Sequence, residues 1–175
     1  VDQHFLKRGR FGRLIPAMRA KGYQLGLGVE ENTAAVFKGD QVEIVGVGAV
    51  FIDLSEATSD PSIGVFNLRR ARLAYLEDGD RIDLKNRVVV PAPVKLRGDR
   101  LDAGSPDFKP YYTEPRFISD MLGDQMIANA MRYLIDSNQS EVQGLSFDAA
   151  PPAGDSLREL GFLFRLYKAP DSVGW

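Results

Sequence analysis

A chain of 175 residues, 44% hydrophobic and 26% charged, has the size and make-up of one globular domain able to bury a sizeable core. It has no cysteine, which excludes a disulfide framework, a thiol nucleophile and a cysteine-based metal site, and with one histidine as well a structural zinc site is not expected. The net charge of −2 hides an asymmetry, since residues 1–21 carry +5 and the remainder −7. Positive charge is therefore gathered beside the histidine, where it can draw in an anionic ligand. On an acidic domain it makes a poor footprint for a nucleic-acid backbone, so no nucleic acid is expected as a partner. No apolar run approaches the roughly 20 residues of a membrane-spanning helix, and no membrane partner is expected.

Taken in chain order, residues 12–21 place Leu14, Ile15, Ala17 and Met18 on a helical stripe, with Pro16 tolerated in an early turn and Gly22 as the stop. Residues 23–29 are a short apolar run with two glycines, suited to a buried strand whose end approaches a ligand or another backbone. Strands are expected at 34–37, 42–45 and 49–54, the first two joined by a hairpin at Lys38-Gly39-Asp40-Gln41. Residues 55–62 read as an exposed loop. Residues 66–76 and 81–90 read as two strands joined across Glu77-Asp78-Gly79-Asp80, where Asp-Gly supplies a tight turn. Residues 91–112, with four prolines and two glycines, form a long irregular connection, a candidate lid or insertion over a site.

Further on, Ile118, Leu122, Met126, Ala130 and Leu134 recur at spacing four and predict a helix whose methionine-rich stripe is core. Residues 142–147 and 161–167 read as an antiparallel edge pair around the loop containing Pro151-Pro152. There is no internal repeat, and no stretch reads as a linker.

The run Asp2-Gln3-His4-Phe5-Leu6-Lys7-Arg8-Gly9-Arg10-Phe11-Gly12-Arg13 joins a proton carrier to guanidinium forks that suit carboxylates. With Gly26-Leu27-Gly28-Val29-Glu30-Glu31-Asn32-Thr33-Ala34, it resembles the cyanophycinases, serine peptidases that degrade the aspartate-arginine polymer cyanophycin, and their dipeptidase E kin. Glu30 departs from the aspartate more usual there. The resemblance implies an α/β fold, a three-layer sandwich of the class I glutamine amidotransferase-like type with a mixed sheet. Residues 1–175 would be a single domain, the carboxyl-terminal part of a cyanophycinase-like catalytic domain with an antiparallel strand region. Val1 to Phe5 would sit at the end of a central strand, where ligands bind open sheets.

A serine peptidase needs a hydroxyl held against a histidine, an orienting acid and oxyanion donors. No Gly-x-Ser-x-Gly turn occurs; Gly144-Leu145-Ser146-Phe147-Asp148 is the nearest sequence and lacks the second glycine. The resemblance implies that the nucleophile and orienting acid lie on an upstream polypeptide, before Val1. It makes His4 the catalytic base, and it makes Asp2, Gln3, Arg8, Arg10 and Arg13 the substrate-binding set for an acidic peptide. Glu31 and Thr33 are weaker candidates at the mouth of the site, with capping or turn roles as the alternative. No cofactor and no metal are expected, a homodimer is, and the cytoplasm is favoured over secretion. The alternative is a non-catalytic acidic-peptide binding module or an inactive homologue with a structural role.

Overall fold

The structure, a computed structural model, describes residues 1–147, 153–154 and 161–175. By its contacts the chain divides into two compact units, Val1–Gly98 and Asp99–Trp175. Both are built on open sheets, mixed or antiparallel, with one α-helix each among the described residues, so the chain is α/β.

In the first unit the apolar glycine strand is the organiser. Strand β2 (Leu25–Val29) pairs in parallel with β1 (Asp2–Gln3) and antiparallel with β5 (Ala49–Asp53), which pairs antiparallel with β6 (Arg72–Leu76). Among the described residues β1 is therefore the outer strand of its sheet, whereas the central position expected for it was in a sheet partly supplied by strands upstream of Val1. Gly26 and Gly28 give one face of β2 no side chains, and the bareness is used. A β-carbon on Gly28 would stand 2.1 Å from the Phe5 ring, and one on Gly26 would stand 2.4 Å from the Met18 sulfur. Phe5 and helix α1 (Phe11–Lys21) thus lie directly on the strand, burying Phe11, Ile15 and Met18. Burial of each such side chain stabilises by roughly 1.5 to 3 kcal/mol.

Helix α1 ends where Gly22 enters the left-handed region at φ 71, letting its N–H and that of Tyr23 close onto the last carbonyls. Arg19 and Lys21 lie in the last turn, where the helix dipole favours cations.

The opposite face of β2 and β5 packs on a second, wholly antiparallel sheet, β3 (Thr33–Lys38), β4 (Gln41–Gly46), β7 (Arg81–Asp83) and β8 (Val88–Val90). Between the sheets lie Leu27, Val29, Val42, Ile44, Ala49, Phe51, Leu76 and Ile82, all buried. The β3–β4 hairpin turns at Gly39-Asp40 as expected, with Lys38 facing Gln41.

The Glu77-Asp78-Gly79-Asp80 turn behaves otherwise. Strands β6 and β7 do not pair with each other, because β6 belongs to the first sheet and β7 to the second, so the turn carries the chain between layers. The buried Asp80 carboxylate fixes that corner, accepting hydrogen bonds from the N–H groups of Glu77 and Ala92, both at 2.8 Å, and from Lys95 Nζ at 2.7 Å. Burial disfavours the Lys95 ammonium, but its bonds to Asp80 and Glu77 outweigh that and its pKa is raised. The single strand expected over 81–90 is two strands, broken where Asp83 accepts from the backbone and side chain of Asn86.

In the second unit β11 (Glu141–Phe147) lies between β10 (Phe117–Ile118), parallel to it, and β12 (Gly161–Tyr167), antiparallel to it. The antiparallel pair matches the sequence reading. Most of the intervening loop, Pro151-Pro152 included, lies outside the described residues. A short antiparallel pair joins β9 (Leu101–Asp102) to β13 (Val173–Gly174). The helix expected from Ile118 onward begins only at α2 (Met126–Ile135). Ile118 instead pairs with Gly144, and the Met121 N–H donates to the carbonyl of Leu145 at 2.7 Å, so these residues find their backbone partners in β11. Of the residues at spacing four, Ala130 and Leu134 are buried in the helix, while Ile118, Leu122 and Met126 are only partly buried.

Candidate functional site

Because β1 and β2 run parallel, with Asp2 beside Gly28 and Gln3 beside Val29, their carboxyl ends lie side by side. The residues just beyond the two strands therefore meet, His4 after β1 with Glu30 and Glu31 after β2. The Phe5 N–H donates to the Val29 carbonyl at 3.2 Å, and the Leu6 N–H donates to Glu30 Oε1 at 2.6 Å. Glu30 is buried, and its carboxylate binds the turn that leads from His4 into α1. That turn is wound tightly, with the N–H of Arg8 bonding to the His4 carbonyl and that of Arg10 to the Phe5 carbonyl.

His4 itself sits in the left-handed region at φ 50. Histidine is among the few non-glycine residues enriched there, and such geometry persists only where surrounding contacts hold it. Its Nδ1 lies 3.0 Å from Glu31 Oε1. A carboxylate only accepts, so Nδ1 carries a proton, and in the neutral imidazole the other ring nitrogen, Nε2, keeps its lone pair. Among the described residues Glu31 is the side chain hydrogen-bonded to the imidazole, and His4 is 38% exposed. The second oxygen of Glu31 accepts from Lys7 Nζ at 2.5 Å. The Lys7 hydrogen bond, reinforced by His4, holds the Glu31 carboxyl below the usual glutamate range. Thr33 ties the same turn down, its hydroxyl donating to the Glu31 carbonyl at 3.4 Å and accepting from the Gly48 N–H at 3.1 Å. This is the turn role weighed for it.

The arginines divide. Arg13 grips Asp2 with two donors, Nε to Oδ2 at 2.8 Å and Nη2 to Oδ1 at 2.5 Å. Arg10 Nη1 reaches Asp2 Oδ1 at 3.2 Å and the Gln3 carbonyl at 2.7 Å. The Arg13 bond above all lowers the Asp2 pKa, and Asp2 raises that of Arg13. Arg8 is exposed and makes no ion pair among the described residues. The structure thus gathers Asp2, Gln3, His4, Arg10, Arg13 and Glu31 at one strand edge and leaves Arg8 open beside them. Ser146 is buried in β11, where its hydroxyl donates to Asp120 Oδ1 at 3.0 Å, so it occupies a strand and not a strand-to-helix elbow.

Two features escape the sequence. Lys7 is the partner of Glu31, yet within a run of basic residues nothing sets it apart. Glu31 is the partner of His4, and the only signal is an acidic pair placed directly after a glycine strand.

No protein-family model matches the chain. It is similar to the cyanophycinases of Trichormus variabilis and of Nostoc sp., each 41% identical over 99 residues, which is 53% of this chain and 33% of the relative. The cyanophycinase of Geminocystis herdmanii is 38% identical over 92 residues, 49% of this chain and 34% of the relative. The matched part spans about a third of the length of these curated relatives. Over about half of its own length, the chain is cyanophycinase-like.

Proposed function

We propose that this chain supplies the histidine side of a serine-type peptidase that hydrolyses β-aspartyl bonds in a cyanophycin-like aspartate-arginine polymer or in the corresponding dipeptides. The observation that carries the reading is the contact between His4 Nδ1 and Glu31 Oε1 at 3.0 Å, made at the carboxyl ends of two adjacent parallel strands. A carboxylate on Nδ1 selects the tautomer whose Nε2 is a base and stabilises the imidazolium once formed. The orienting acid expected upstream of Val1 therefore has a counterpart inside the chain, Glu31. The nucleophilic serine comes, in this reading, from polypeptide upstream of Val1, within a larger sheet of the class I glutamine amidotransferase-like type.

Nε2 of His4 takes the proton of the serine hydroxyl as its oxygen attacks the scissile carbonyl, then gives it to the leaving amine. Water repeats the cycle on the acyl-enzyme. Arg8 has the open fork for a substrate carboxylate. Arg10 and Arg13 complete the pocket with Asp2 and Gln3, and an anionic group reaching them must share or displace the Asp2 carboxylate.

The test is to produce the chain together with the upstream polypeptide and assay cyanophycin and β-aspartyl-arginine. Wild type is expected to turn over both, and His4→Ala and Glu31→Gln to lose orders of magnitude in kcat. Binding of acidic peptides without turnover would instead favour the non-catalytic module.

A further inference from the structure

The ammonium of Lys7 and the imidazole of His4 divide one carboxylate between them. Nζ lies 2.5 Å from Oε2 of Glu31, and Nδ1 lies 3.0 Å from Oε1. A glutamate side chain on its own turns about three bonds, and at 33% exposure Glu31 is not packed into one setting. Thr33 fixes its backbone carbonyl, and Glu30 beside it turns its own carboxylate to the Leu6 N–H, so neither orients the Glu31 carboxylate. Arg8 makes no ion pair among the described residues, which leaves Lys7 and His4 as the charged or titratable groups at these oxygens.

We propose that Lys7 is a positioning residue: by holding Oε2 it keeps Oε1 turned to Nδ1 of His4, and so keeps Nε2 as the free base. The inference rests on the histidine–glutamate reading above and deepens it. Lys7 leaves the backbone of the same turn that presents His4, three residues on, so one wound segment carries both the base and the clamp on its acid. Its side chain is half exposed, and the carboxylate it holds is kept ionised first by its own hydrogen bond. A neutral residue at position 7 frees Oε2. The carboxylate then samples settings in which Nδ1 has no acceptor, and the imidazole can place its proton on either nitrogen.

The chain's single histidine makes the test site-specific. The full chain is labelled with nitrogen-15 in histidine and its ring signals are read at a pH where the imidazole is neutral. Wild type is expected to show the tautomer protonated at Nδ1 in at least tenfold excess. Lys7→Gln is expected to lower that ratio severalfold, Lys7→Arg to keep it, and Glu31→Gln to abolish it. In Lys7→Gln the Glu31 carboxyl, followed by its carbon-13 shift, should also titrate closer to the usual glutamate range. Retained circular dichroism confirms that each variant is folded. If Lys7→Gln keeps the wild-type ratio while Glu31→Gln loses it, Lys7 is a bystander and the proposal is overturned with the histidine–glutamate pair intact. If Glu31→Gln also keeps the ratio, the pair itself does not form and both readings fall.

Discussion

Asp80 and Glu31, both carboxylates of the first unit, each meet a lysine, Lys95 at 2.7 Å and Lys7 at 2.5 Å. Their surroundings differ in every other respect. Asp80 is 3% exposed, and its acceptors are filled by two backbone N–H groups and one ammonium of the corner it holds. Glu31 is a third exposed, and its other oxygen goes to an imidazole whose second nitrogen is left for something else. The first cluster is closed and uses up its donors and acceptors, which is how a buried charge becomes a structural joint. The second leaves one imidazole nitrogen without a hydrogen-bond partner among the described residues, on a residue with left-handed backbone geometry.

The largest effect separates the two clusters by what each substitution destroys. His4→Ala in the complete enzyme is expected to lower turnover of a β-aspartyl-arginine substrate by several orders of magnitude, while changing unfolding stability by no more than about 1 kcal/mol. Asp80→Ala should do the reverse in kind. Removing it leaves two backbone N–H groups of a buried corner without their acceptor and the Lys95 ammonium with Glu77 alone, each stranded N–H costing about 1 to 3 kcal/mol, read by urea unfolding. A His4→Ala chain that unfolds as easily as Asp80→Ala would erase the distinction between joint and site.

A middle-sized effect distinguishes the open arginine from the committed ones. Losing a charge-assisted bond costs on the order of 2 to 3 kcal/mol, or roughly 30- to 140-fold in kcat/KM at about 1.4 kcal/mol per tenfold. Arg8→Ala should show that loss on an acidic dipeptide and little of it on the amide-capped analogue. Arg13→Ala releases Asp2, so it should penalise both substrates alike. The reverse pattern would move the carboxylate pocket away from Arg8.

What the sequence made legible was local. The β3–β4 hairpin follows from turn chemistry at Gly39-Asp40, and the end of α1 follows from Gly22. The Asp78-Gly79 turn looks locally just as much like a hairpin, but its strands are claimed by different sheets through contacts with β5 and β4, which no nearby residue announces. Ile118 keeps helical spacing and yet is taken by β11, 26 positions further along at Gly144. The site divides in the same way. His4 and the arginines stand in one short run and can be read there. The 27-residue step from His4 to Glu31 exists only through the parallel register of β1 on β2, and the engagement of Arg10 and Arg13 by Asp2 needs the turn between them to be wound.

The smallest effect concerns that engagement and works through pH. The Asp2 carboxyl is held below the ordinary aspartate value of about 3.9, mainly by the Arg13 hydrogen bond. A carboxyl whose pKa is lowered on folding contributes stability that is fully present above its unfolded value. That contribution shrinks as the pH falls toward the lowered folded value and is gone below both. Glu31, Asp60, Asp83 and Glu141 are lowered as well and give any variant a shared acid slope. Asp2→Asn removes only its own share. Urea midpoints of wild type and Asp2→Asn measured from pH 7 down to pH 2 should therefore differ by a constant amount above about pH 4 and converge below it. An undiminished gap at the lowest pH would mean that the asparagine costs packing and not charge, and the Asp2–Arg13 pair would then belong with the Asp80 corner as a joint of the fold.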